Sequence, residues 1–126
     1  MYKRQVTLTS DLTVTGFGIQ VDTLATSGSD VTMGLYDDAS GAPGSLLVET
    51  DQETLNSGTN TLDTNAWVDV SAGDYWIVVN YDASDDTTVV SDATNTASTD
   101  TEADGGAATL PATWTGTGAT LSLIHI

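Results

Sequence analysis

The stretch that decides the fold is "AGDYWIVVNY", residues 72–81. In an extended chain successive side chains point to opposite faces. Tyr75, Ile77 and Val79 then share one face, and Trp76 and Val78 share the other. Both faces are apolar. A strand of that kind belongs at the centre of a sheet that is covered on both sides. The "SAGD" before it, residues 71–74, has the chemistry of a tight turn, with Gly73 supplying backbone freedom.

Towards the N-terminus the same period of two recurs. Val6 and Leu8 alternate with Thr7 and Thr9, and Leu12 and Val14 alternate with Thr13 and Thr15. After Gly16 the apolar phase moves by one residue, to Phe17, Ile19 and Val21. A one-residue change of phase at a glycine predicts a β-bulge. "GSD", residues 28–30, turns the chain into Val31, Met33 and Leu35, again alternating. In "YDDASGAPGSLLVET", residues 36–50, a loop rich in turn residues runs into another strand. Gly41 and Gly44 are expected to take positive φ there, with Pro43 stiffening the turn. The pair Asp37 and Asp38 reads as turn carboxylates capping backbone groups. "NSGTN", residues 56–60, is a further turn, and Trp67, Val68 and Val70 mark a short strand. Val89 and Val90 mark one more. Residues 92–108 are small and polar and read as a long loop, and "LPATW", residues 110–114, reads as a return to the body.

Helix formers are scarce while Thr, Val, Asp and Gly dominate. Short strands separated by such turns imply an all-β chain, an antiparallel β-sandwich. A length of 126 residues fits a single domain.

Charge is distributed unusually. The chain has 18 acidic residues against 2 Lys or Arg and 1 His, a net charge of −16. Such a surface repels nucleic-acid phosphates and anionic membranes, so neither is expected as a partner. No membrane-inserting segment is expected either. Two origins fit the composition: a high-salt organism, whose salt screens the self-repulsion, or an ordinary acidic surface module. Disorder is opposed by the hydrophobic fraction of 39% and by the periodic runs. The absence of Cys excludes disulfides, thiol nucleophiles and zinc–thiolate sites within the chain.

Every basic residue stands at a tip: Lys3 and Arg4 in "MYKRQ", residues 1–5, and His125 in "LSLIHI", residues 121–126. Both tips resemble the translation of one transposon mosaic-end sequencing adapter, read in from opposite sides. The expectation is that residues 1–5 and 121–126 derive from that adapter. The natural sandwich domain would then be residues 6–120, a metagenomic fragment truncated at both ends.

"LYDDASGAPGSLL", residues 35–47, followed by "AGDYWIVVNY", resembles a pattern of extracellular β-sandwich modules in bacterial and phage surface proteins. Those are the "choice-of-anchor" type, with Leu-Tyr-x-Asp-x-x-Gly-x-Pro-Gly-x-Leu-Leu ahead of Ala-Gly-x-Tyr-Trp. The resemblance spans residues 12–81. It implies a jelly-roll-like exported module without known catalysis, and it carries over no functional residue.

Candidate chemistry is thin. The one His lies in a tip and Cys is lacking, so no Ser-His-Asp or Cys-His arrangement can be built. No enzyme is expected. Calcium is the one cofactor with candidate ligands. Asp100, Glu102 and Asp104 alternate ahead of Gly105, like the first half of an EF-hand loop, but the closing Glu is missing. Asp82, Asp85 and Asp86 form a second acidic cluster. Both clusters read first as solvated acidic loops. For a glycan, the aromatic platforms would be Trp67 and Trp114, either of which could instead pack on the sandwich.

The functional expectation is a non-enzymatic structural or adhesive module of a larger exported protein, extracellular or at the cell surface. Its partners would be neighbouring domains of the same polypeptide and glycans. The alternatives are a carbohydrate-binding module of a secreted hydrolase and a phage or virion surface domain.

Overall fold

The computed structural model describes residues 2–23, 30–81, 88–89, 98–100, 110, 112–113 and 118–120. Within them the chain is all-β. Its strands are β1 (Tyr2–Leu8), β2 (Leu12–Thr23), β3 (Asp30–Asp38), β4 (Pro43–Glu49), β5 (Glu53–Thr54), β6 (Gly58–Val70), β7 (Gly73–Tyr81), β8 (Thr88–Val89), β9 (Ser98–Asp100) and β10 (Gly118–Thr120). One sheet has the order β10-β9-β1-β7-β3-β4, with β5 beside β3, and the other has the order β6-β2-β8. All pairs are antiparallel. In chain order the β1–β7 pairing encloses the β2–β6 pairing, a jelly-roll-like wrapping of an antiparallel β-sandwich. No helix among the described residues is long and apolar enough to cross a membrane.

Strand β7 lies between β1 and β3, at the centre of the large sheet. Ile77 and Val79 enter the core between the sheets, with Phe17, Ile19 and Leu62 from the small sheet. Val78 and Trp76 face the other way and join Tyr36, Leu46 and Leu110. Each fully buried aliphatic side chain contributes about 1.5–3 kcal/mol. The two-sided cover read from the sequence is thus present, and on the outer face Leu110 supplies part of it, with Ala112 and Thr113 tied to β4. The Leu46 amide donates to the Ala112 carbonyl at 2.9 Å, Ser45 bridges Thr113, and the Leu110 amide donates to Glu49 Oε2 at 3.3 Å.

Leu110 also packs on the outward face of β3, at Tyr36 and over Gly34. Residues 31–36 are buried without a break, Thr32, Gly34 and Tyr36 included. A Cβ at Gly34 would strike Leu110 Cδ1, so only glycine lets the leucine seat there.

The bulge predicted at Gly16 is present, and it is larger than the sequence implied. Val14 pairs with Val68 while Gly16 pairs with Asp63. Thr15 alone therefore stands against Thr64, Asn65, Ala66 and Trp67. Gly16 allows the strands to close again, since a Cβ there would lie 2.8 Å from the Leu62 carbonyl oxygen. The strand marked by Trp67 is not short but the end of the 13-residue β6. Its polar first half gave little apolar signal.

Two turn expectations need correction. Gly41 has φ +88°, but the second positive φ belongs to Ser40, at 60°, and not to Gly44. Gly44 is required for a close approach instead: a Cβ there would collide with Asp37 Oδ1. At Gly73, φ is 159°, close to extended backbone. Residues 92–108 are not wholly loop, because β9 adds to β1 through Ser98 and Thr99. Tyr2, Lys3, Arg4 and Gln5, read as adapter-derived, form the first half of β1, and Lys3 is buried.

Candidate functional site

Trp67 is the exposed aromatic of the described residues. The excursion of β6 opposite Thr15 carries it away from β2, and 77% of it remains accessible. Val68 and Val70 point into the sandwich, so Trp67 and Asp69 point out. On the neighbouring strand Thr13 and Thr15 are likewise exposed. Thr13 Oγ1 donates to Asp69 Oδ1 at 2.6 Å, which fixes that carboxylate beside the indole's strand. The result is one large exposed apolar ring on a sheet face that also carries hydroxyl and carboxylate oxygens. It can stack on a ring and accept hydrogen bonds around it.

Trp76 is different. It is half-buried on the outer face of the large sheet, and its Nε1 donates to Asp38 Oδ1 at 2.8 Å. Asp38 also accepts from the Gly41 amide at 3.1 Å and from Gln5 Nε2 at 3.0 Å. The Trp76 indole, the Gly41 amide and the Gln5 amide hold the Asp38 carboxyl below the ordinary aspartate value, against the opposing effect of burial. Lys3 Nζ lies 6.0 Å from the centre of the Trp76 ring, at the outer range of a cation–π contact. Asp37 accepts from the Ser45 amide. The adjacent aspartates therefore tie together the β3–β4 turn and the sheet, which is the capping role expected of them.

Of the remaining candidates, Trp114, Asp82, Asp85, Asp86, Glu102 and Asp104 lie outside the described residues, as does His125. Asp100 is placed by its backbone at the end of β9, opposite Gly118. Among the described residues no group of His, Asp or Glu side chains converges to hold a metal ion.

A second feature escaped sequence reasoning. An apolar crevice of about 180 Å³ opens at the end of the sandwich where β1 runs into β2. Its walls include Val6 and Leu8 from β1, Leu12 and Val14 from β2, and Ile77 behind them. Leu12, an inward-phase residue, is 39% exposed. Alternation placed these side chains on the core face but could not say that Leu12 would stand partly exposed at a crevice.

No family model, curated protein or solved structure matches this chain.

Proposed function

We propose that this chain is a non-catalytic structural or adhesive module of a larger exported surface protein, of the choice-of-anchor type. Trp67 is the observation that supports the adhesive role. A wet indole forgoes the stabilisation that burial would give it. The same exposed face carries the hydroxyls of Thr13 and Thr15 and the carboxylate of Asp69. An indole packs on the apolar face of a sugar ring, and such oxygens take the sugar hydroxyls. The proposed partners are glycans and neighbouring domains of the same polypeptide, outside the cell or on its surface. The test is a glycan array probed with the wild-type chain and with Trp67→Ala. The expected result is binding by the wild type, reduced at least tenfold in the variant, with an unchanged melting temperature. A wild-type chain that binds no glycan would leave only the structural role.

The same tryptophan favours a second reading, a carbohydrate-binding module of a secreted hydrolase. The flanking polypeptide separates the two. A catalytic domain beside the module favours the hydrolase, and a repeat array with a sorting signal favours the surface protein. Residues 1–5 and 121–126 are, on this proposal, adapter-derived. Reading the locus from a library made without the adapter tests that, and recovery of the same codons would refute it.

A further inference from the structure

The glycan reading of Trp67 leaves the kind of sugar open, and the carboxylates on the same side of the small sheet narrow it. Asp69 shares the outward face of β6 with Trp67 and lies two residues further on, roughly 6–7 Å along the strand. That is close to the repeat of one sugar unit in an extended polymer. Asp69 also lines an open depression of about 270 Å³, where β2 begins and β6 ends. Asp11, Thr13 and Ser71 line it with Asp69, and all four are exposed. Two bonds hold the carboxylates in place. Asp11 Oδ1 accepts from the Ala72 amide at 2.9 Å, and Asp69 Oδ1 accepts from Thr13 Oγ1 at 2.6 Å. Lys3 and Arg4, the basic side chains among the described residues, belong to β1 in the other sheet.

Charge then separates the classes of sugar. Uronic, sialic and sulfated sugars carry anions, which two aspartates and a net charge of −16 repel. A neutral sugar gains stacking and hydrogen bonds alone. A sugar with a free amine gains in addition a charge-assisted hydrogen bond to a carboxylate, and its ammonium is attracted by an indole face. We infer that Trp67 and the Asp11–Asp69 depression together form a site for a polymer of de-N-acetylated amino sugars. One ring stacks on Trp67, and an ammonium group enters the depression beside Asp69. This inference rests on the glycan reading proposed above. Exposed ion pairs are individually weak, so the expected preference is modest.

The test titrates the whole chain by calorimetry, at mildly acidic pH where the amines are protonated. The probes are the β-1,4-linked hexamers of glucosamine, N-acetylglucosamine and glucose, together with hexalysine. The glucosamine hexamer should bind at least fivefold more tightly than either uncharged hexamer, and added salt should shrink that margin. Asp69→Asn, which keeps an oxygen for Thr13 Oγ1, should remove most of the preference and leave binding of the glucose hexamer unchanged. Glu53→Gln removes an exposed charge from β5, in the other sheet, and should preserve the preference. Trp67→Ala should weaken all three sugars. Equal binding of the three hexamers by the wild type overturns this inference and leaves the glycan reading standing, whereas binding of none overturns both. Hexalysine binding as tight as that of the glucosamine hexamer would show attraction of any polycation and overturn the amino-sugar site. An equal loss of preference in Glu53→Gln and Asp69→Asn would do the same.

Discussion

Asp38 shows how one side chain in a turn can hold distant parts of a sheet together. Its carboxylate gathers the Trp76 indole, the Gly41 amide and the Gln5 amide, from β7, the β3–β4 turn and β1. These donors favour the charged form, so the folded-state pKa lies below the unfolded value. The resulting stabilisation is present above the unfolded pKa and is lost as pH falls through the folded one. Asp38→Asn should therefore lower the melting temperature at neutral pH. The difference from wild type should shrink towards strongly acidic pH, as the wild-type carboxyl is itself protonated. Thermal melts of both chains across the acid range check this, and a difference independent of pH would contradict it. The two tryptophans make a second contrast at this scale. Trp67→Ala removes an exposed ring and should change stability by less than about 0.5 kcal/mol. Trp76→Ala removes a half-buried ring and its hydrogen bond, and should cost near the lower end of the ~3–5 kcal/mol seen for buried aromatic truncations. Denaturant unfolding of the two variants measures both.

At the scale of elements, glycines set where backbones meet. Gly34 in β3 leaves the space that Leu110 fills, and the seating of Leu110 on this face depends on that space. Gly34→Ala should displace Leu110 and cost about 1–3 kcal/mol, the usual range for overpacking. If Leu110 is what fills this space, Leu110→Ala should lose much less stability in a Gly34→Ala background than alone, because the leucine is already unseated. A double-mutant cycle by chemical denaturation reads that coupling, and simple additivity would count against it. Gly16 acts in the same way where β2 and β6 rejoin beyond the excursion that presents Trp67. The Gly16-centred change of apolar phase was visible in sequence, because alternation is a local property. The number of β6 residues set against Thr15 was not, since nothing in β2 encodes the length of its partner's detour.

The whole molecule folds against its own charge. Eighteen acids, set against only two Lys or Arg, repel one another, and most of the acids whose burial is described are exposed. Salt shortens the range of that repulsion to about 8–10 Å near physiological strength and to about 3 Å at 1 M. The melting temperature should therefore rise with added NaCl. A flat or falling profile in a salt series would show that self-repulsion does not limit stability. Calcium belongs to the same scale as a proposal, with Asp82, Asp85, Asp86, Asp100, Glu102 and Asp104 as its candidate ligands. Calorimetric titration at high ionic strength should show weak binding at most, because the loop of Asp100, Glu102 and Asp104 lacks its closing Glu and both clusters read as solvated acidic loops. A tight stoichiometric site would show the clusters to be built for the ion.

By itself the sequence determined the class and the centre of this protein. Period-two alternation, β-branched strands and glycine-rich turns required antiparallel strands. The two apolar faces of residues 75–79 placed β7 between neighbours and under cover on both sides. Those features are local: each follows from which way successive side chains point. What the tertiary structure alone decided is which surfaces the cover reaches. The packing of Leu110 on Tyr36 and Val78, the outward position of Trp67 and the crevice beside Leu12 all depend on contacts between residues far apart in the chain. An apolar residue carries the same local signal whether its face is sealed or open. Only the path of a distant segment determines whether it lies in the core or at a site.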